Sequence, residues 1–255
     1  MILTVDIGNT NVVLGCIENG IIVAVSRIAT NLNHTADEYA VDLQNIFSLN
    51  QIQPKQIEGG IISSVVPPLT DTLAATIRKV CGRQPLIVGP GIKTGLNIRI
   101  DNPAQLGSDL VVAAVAAVTE YAKPLILIDL GTATTLSVID EHSTYLGCMI
   151  IPGAQISQEA LTSHTALLQS ITFDAPPRVV GTNTIDCMKS GAIFGTAAMI
   201  DGSIDLIEEE TRKSSTLVAT GGLAPCIIPH CKHPIILDQD LILKGLWQIY
   251  RKNQS

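Results

Sequence analysis

The chain has 255 residues, 46% of them hydrophobic and 15% charged, and 16 Lys and Arg against 23 Asp and Glu leave a formal net charge of −7. That acidity, with no Lys/Arg cluster, excludes a protein that neutralises many nucleic acid phosphates, although backbone amides at a turn can still hold a small anionic ligand. The longest uncharged apolar stretch, Leu110 to Val118, is too short for a bilayer span and no basic leader opens the chain, so a cytoplasmic protein without a membrane partner is expected.

Ile, Leu, Val and Ala supply most of the apolar share, with one Trp, four Tyr and three Phe. This suits strands buried on both faces under closely packed helices, an α/β composition. The length allows one large domain or two of roughly 125 residues. Six scattered cysteines with no CxxC pair read as free thiols in a reducing compartment.

In chain order, Ile2 to Val5 and Val12 to Ile17 are apolar runs around the polar turn Asp6-Ile7-Gly8-Asn9-Thr10-Asn11. Asn19-Gly20 then signals a hairpin into a third strand, Ile21 to Ile28, so the chain opens as an antiparallel meander. Thr35 and Glu38 form a capping box, and Tyr39, Leu43, Ile46 and Phe47 recur at helical spacing to about Leu49. A strand at Ile61 to Val66, a helix from Leu69 to about Cys81 and a strand at Leu86 to Val88 follow. Pro103 is expected to start a buried helix carrying Leu106, Leu110, Val111, Val115 and Val118.

The opening pattern then returns. Leu125 to Ile128 leads into Asp129-Leu130-Gly131-Thr132-Ala133-Thr134, which places Asp129 and Gly131 each 123 positions after Asp6 and Gly8. Leu136 to Ile139 matches Val13 to Cys16 at the same offset without a gap. Leu217 to Ala219 runs into Thr220-Gly221-Gly222 much as Ile61-Ile62 runs into Ser63-Ser64. One supersecondary unit is used twice, which favours two domains.

A turn of the form Asp-x-Gly-polar-Thr lets amides and hydroxyls approach phosphate oxygens, while its carboxylate can hold a cation that screens them. One copy is ordinary turn chemistry. Two copies in register point to a polyphosphate ligand, and the glycines at Gly221 and Gly222 admit a flat nucleoside against the backbone. Gly89 to Gly95 fails as a dinucleotide or Walker loop because its glycines are misplaced. Cys226, His230, Cys231 and His233 are crowded too closely to wrap a zinc ion. Asp109, in Gly107-Ser108-Asp109-Leu110, is either a helix-start cap or a partly buried functional acid able to take a proton from a phosphoryl acceptor.

On these residues the sequence resembles the type III pantothenate kinases, of the acetate and sugar kinase, heat-shock ATPase and actin superfamily. Asp6 to Asn11 matches the family's first phosphate motif, Asp129 to Thr134 its second, and Thr220 to Gly222 its adenosine motif. Thr94 to Asn97, Asp101 to Pro103, Pro152-Gly153 and Gly181 to Thr184 extend the resemblance along the chain. It implies duplicated RNase H-like (actin-like ATPase) domains at 1–120 and 121–255, each a mixed five-stranded sheet with flanking helices, with the nucleotide in the inter-domain cleft.

The resemblance further implies ATP-dependent phosphorylation of pantothenate to 4′-phosphopantothenate, the first step of coenzyme A biosynthesis, by a homodimer whose substrate site lies at the subunit interface. Asp109 would be the general base. Asp6, Ile7, Gly8, Asn9, Thr10, Asn11, Val12, Val13, Thr132, Gly221 and Gly222 would bind ATP. Gly107, Ser108, Asp109 and Leu110, with Thr184 of the partner subunit, would bind pantothenate. Asp129 would hold K⁺ or NH₄⁺, and Asp6 would hold Mg²⁺ through water. Two positions depart from the family. Leu110 stands where it has Arg, and Ile100 stands where it usually has Tyr. These departures keep open a kinase for another small hydroxy acid or a non-catalytic nucleotide-binding paralogue, although retention of Asp6, Asp109 and Asp129 favours an enzyme.

Overall fold

The computed structural model describes residues 1–254. The first strand, β1 (Ile2–Ile7), is buried from Leu3 onward and forms the centre of the first sheet. Around it lie β2 (Asn11–Glu18), β3 (Ile21–Ala29), β4 (Gly59–Ser64) and β5 (Leu86–Ile87), in the order β3-β2-β1-β4-β5. The β1-β2-β3 meander is antiparallel, whereas β4 and β5 run parallel to β1. Alternation along β1 sends Leu3, Val5 and Ile7 into a core with Tyr39, Leu43 and Phe47 of α1 (Ala36–Leu49) and Leu69, Leu73 and Ile77 of α2 (Pro67–Cys81). The capping box at the start of α1 is present: the Glu38 amide donates to Thr35 Oγ1 at 3.3 Å, and the Thr35 amide to Glu38 Oε2 at 2.7 Å.

The opposite face of this sheet takes α3 (Ser108–Glu120), whose Val112 and Val115 pack with Ile61 of β4. Pro103 does not start this helix. It opens a single 3₁₀ turn, Pro103–Gln105, and the α-helix begins at Ser108, because Leu106 adopts an extended backbone after the turn.

The second sheet holds β6 (Asn97–Ile98), β7 (Leu125–Leu130), β8 (Ala133–Ile139), β9 (Thr144–Pro152), β10 (Thr216–Thr220) and β11 (Ile236–Leu237). Its order is β11-β10-β7-β8-β9-β6, with the same strand senses as the first. The expected five strands are therefore joined by a sixth, because Asn97 and Ile98 pair with Thr144 and Tyr145 at the outer edge of β9. Ile126, Ile128, Leu130 and Leu136 pack under α4 (Ala154–Ser163) through Ala154 and under α6 (Thr196–Thr211) through Ala197, Ile200 and Ile204, with Ile193 just before α6. The short α5 (Thr184–Ser190) leads into α6 through one π-helical stretch, Gly191–Gly195, and α7 (Ala224–Ile227) follows β10.

The repeat read from the sequence is a repeat of strands. β1 and β7 begin and end 123 positions apart, as do β3 and β9. Between them the register slips. Ile7 pairs with Val12 in the first hairpin but Leu130 pairs with Thr134 in the second, so the second turn is one residue tighter. Leu136 therefore corresponds to Leu14 rather than Val13. Burial decides this, since Leu14 and Leu136 both face the core and Val13 does not.

The two units do not divide once near position 120. Asn97–Ile100 belongs to the second unit, and the chain from Asp240 onward returns to the first. The reason is the last helix, α8 (Leu241–Lys252), which buries Leu241, Leu243, Leu246 and Ile249 in the first unit beside Ile61, Val112 and Val115. Gly245 lets α8 touch α3 backbone to helix. A Cβ there would overlap the Val112 carbonyl oxygen and lie 2.9 Å from its carbon.

In an open helix Gly→Ala gains up to about 1 kcal/mol. Here Gly245→Ala is expected to cost roughly 1–3 kcal/mol instead, because neither backbone can yield. Scanning calorimetry should record a lower Tm for Gly245→Ala and little change for Gly82→Ala at the left-handed end of α2 beyond its local backbone strain.

Candidate active site

The first polar turn is pinned from both ends. The Gly8 amide donates to Asn11 O at 3.0 Å, and Thr30 at the end of β3 donates through Oγ1 to Gly8 O at 2.6 Å and through its amide to Thr10 O at 3.0 Å. Asn9 and Thr10 are left exposed at the tip. Ile7 and Val12 are fully buried, so only their backbone can serve a ligand. Asp6, 9% exposed, stands at the end of β1 beside Ser63 of β4 in parallel register.

Ser63 connects this turn to the helix that carries Asp109. The Ser108 hydroxyl lies 3.0 Å from that of Ser63, accepts the Ser64 amide at 3.0 Å and donates to the Ser64 carbonyl at 3.0 Å. Those bonds clamp the start of α3 to the end of β4. Asp109 is the second residue of α3. Its Oδ1 accepts the Leu110 amide at 2.8 Å. Burial nevertheless raises its carboxyl above the ordinary carboxylate range, and the backbone hydrogen bonds from Leu110 and from its own amide offset that only in part. Asp109 thus starts a helix and is also a partly buried acid of perturbed affinity. Gly107 and Leu110 flank it half-buried.

In the second unit, Asp129 stands opposite Thr135 of β8 and beside Thr220 of β10. The Gly131 amide donates to Ala133 O at 3.1 Å, and the Gly153 amide to Thr132 O at 3.2 Å. Gly153 holds this turn as Thr30 holds the first, and the two are 123 positions apart, a correspondence legible from the repeat. Thr132 is exposed at the tip. Gly221 has φ +98°, and a Cβ on it would lie 2.5 Å from Asp129 Oδ1 and 2.6 Å from the Leu130 amide nitrogen. Only glycine lets β10 end against that carboxylate. Gly222 beside it is exposed.

Thr184, the first residue of α5, is exposed and follows Asn183, whose Oδ1 caps the helix by accepting the Asp186 amide at 2.9 Å. Ile100 is half-buried, while Arg99 and Lys93 are exposed. The Lys93 amide donates to Asn253 Oδ1 at 3.1 Å, so the Gly89 to Gly95 segment is tied down by the C-terminal helix. The histidine and cysteine cluster is dispersed: His233 Nε2 lies 2.9 Å from Asp205 Oδ1, and His230 packs edge-on against Phe194. Among the described residues no group of three His, Cys, Asp or Glu assembles a metal cage. A divalent cation here would rest on a single carboxylate, Asp6, with phosphates and water completing its shell, which fits Mg²⁺ in nucleotide sites. Among the described residues no helix is long and apolar enough to cross a membrane.

A family model described as type III pantothenate kinase matches residues 2–206. A type III pantothenate kinase of Halalkalibacterium halodurans is 44% identical over 253 residues, spanning 99% of this chain and 100% of its own. One from Exiguobacterium sp. is 42% identical over 255 residues, spanning 100% of both. Among solved structures, component A of the (R)-2-hydroxyglutaryl-CoA dehydratase of Acidaminococcus fermentans superposes with a TM-score of 0.57 at 14% identity, covering 99% of this chain and 98% of its own. That likeness is one of fold alone.

The raised carboxyl of Asp109 has a measurable sign. A carboxyl that holds its proton more tightly folded than unfolded is no burden while protonated and weakens the fold as pH rises through its folded pKa. Asp109→Asn is therefore expected to raise Tm at pH 8, and the gain should vanish as pH falls below the ordinary carboxylate range. Thermal melts across that pH range check it; a gain independent of pH would contradict burial as the cause.

Proposed function

This chain belongs to the type III pantothenate kinase family, and we propose that it makes 4′-phosphopantothenate with Asp109 as the general base. The pantothenate hydroxyl oxygen attacks the γ-phosphorus of ATP, its proton passes to the Asp109 carboxylate, and the bond to the bridging oxygen of ADP breaks. The observation that carries this role is the buried Asp109 carboxyl, clamped in place through Ser108 and biased towards holding a proton.

On the nucleotide side, Asp6, Gly8, Asn9, Thr10 and Asn11 bind phosphate together with the backbone of Ile7, Val12 and Val13, while Thr132, Gly221 and Gly222 meet the rest of ATP. Asp6 would hold Mg²⁺ through water, and the ion would supply charge neutralisation at the phosphates. Asp129 holds K⁺ or NH₄⁺. Gly107, Ser108 and Leu110 border pantothenate together with Thr184 of a second subunit, so the working form is a homodimer in the cytoplasm. Leu110 offers no donor to the substrate carboxylate, which predicts a higher KM for pantothenate than an arginine there would give, by roughly one to two powers of ten for one charged hydrogen bond.

A coupled ADP-release assay tests the reading. Turnover should require pantothenate and K⁺ or NH₄⁺, and Asp109→Asn should abolish it by about 10²-fold or more. In wild type kcat/KM should rise with pH along an acid limb placed above the ordinary carboxylate range, as Asp109 loses its proton. Leu110→Arg should lower KM for pantothenate. ADP release with a different hydroxy acid, and none with millimolar pantothenate, would assign the altered pocket to another acceptor.

A further inference from the structure

The second phosphate turn contains one buried group that no role above employs. The Thr135 hydroxyl oxygen on β8 is shut off from solvent and has no hydrogen-bond partner among the described residues. A buried hydroxyl without a protein partner is destabilising, so a native fold that keeps one beside a carboxylate points to a bound ion or water there. Isosteric valine would pack as well and avoid the penalty.

Its place in the sheet gives the chemistry of that ligand. Thr135 is the cross-strand partner of Asp129, and directly opposed residues of an antiparallel pair project from the same face with Cβ atoms about 5 Å apart. On the other side of Asp129, its parallel partner on β10 is Thr220, and the Gly221 that follows brings only backbone against the carboxylate oxygen. The donors gathered here are one carboxylate, the neutral hydroxyls of Thr135 and Thr220, and peptide groups. Zn²⁺ asks for thiolate or imidazole, and Ca²⁺ for several carboxylates. A large singly charged cation is satisfied by neutral oxygens that replace its hydration shell, with one carboxylate to balance its charge.

We propose that Thr135 Oγ1 is a second protein ligand, beside Asp129, of the monovalent cation. The hydroxyl oxygen coordinates K⁺ with a lone pair, or accepts an N–H of NH₄⁺ with the same lone pair. This rests on the assignment of Asp129 to that cation made under the proposed function. It makes Thr135 a residue that sets cation affinity, while the proton transfer at Asp109 is untouched by it.

The test reads cation binding by thermal shift. The full-length chain, saturated with Mg²⁺ and a non-hydrolysable ATP analogue, is melted in KCl against choline chloride at constant ionic strength. A cation that binds only the folded state raises Tm with its concentration. Wild type and Thr135→Ser should show a saturable rise at similar midpoints. Thr135→Val should shift the midpoint at least tenfold upward, yet melt no lower than wild type in choline chloride, which separates lost binding from lost folding. A Thr135→Val midpoint equal to that of wild type, with the rise still abolished in Asp129→Asn, overturns the role of Thr135 and leaves Asp129 in place. A wild-type chain whose Tm ignores K⁺ and NH₄⁺ overturns the assignment of Asp129, and this proposal with it.

Discussion

Everything at the site depends on two carboxylates held near the ends of largely buried central strands. Asp6 closes a run in which Leu3, Val5 and Ile7 face one core. A slip of one residue would exchange the two faces and push the carboxylate into hydrocarbon. The same holds for Asp129, carried between Ile128 and Leu130 on β7. Hydrophobic burial, which is non-directional, thereby fixes a polar atom to within a fraction of a strand repeat. The polar work is left to the turns just past the strand ends, the usual ligand position in α/β sheets.

On the first sheet the alternation also decides what Asp6 can cooperate with. Thr4 and Asp6 project away from the core of α1 and α2, on the face that Ile61 and Ser63 share with α3. Ser63 then meets Ser108, and Asp109 follows. Two serines and a helix start thus connect the first polar turn to Asp109 through side chains and backbone of a single unit. The burial that raises the carboxyl of Asp109 works against stability at neutral pH, a conflict expected where a group is placed for chemistry rather than for folding. Offsetting it, α8 returns to this unit and packs Leu246 and Ile249 against α3.

The second unit repeats the first without copying it. Its hairpin is one residue tighter, a glycine backbone at Gly153 replaces the Thr30 side chain as the pin, and β10 is followed by glycines where β4 ends in serines. The serines tie a helix to the sheet; the glycines open the backbone beside Asp129. Divergence between the repeats is therefore concentrated at the strand ends, while the strands they share keep their order and senses.

Read alone, the sequence determined the elements governed by local chemistry: the meander, the capped helix after Thr35, the two Asp-x-Gly turns and the repeat at 123 positions. Each is written in neighbours a few residues apart, or in a pattern compared with itself. It also supplied the family resemblance that the whole-chain relatives bear out. It misplaced the start of α3 by taking Pro103 as its first residue, and it matched Leu136 to Val13. Both depend on which side chains find the core. Tertiary structure alone decided that α8 completes the first unit, that Gly221 must lack a side chain because Asp129 lies against it, that Ser108 clamps Asp109, and that the hydroxyl of Thr135 is left buried beside a carboxylate. These are contacts between residues far apart in the chain, and no local period records which distant surface a side chain will meet.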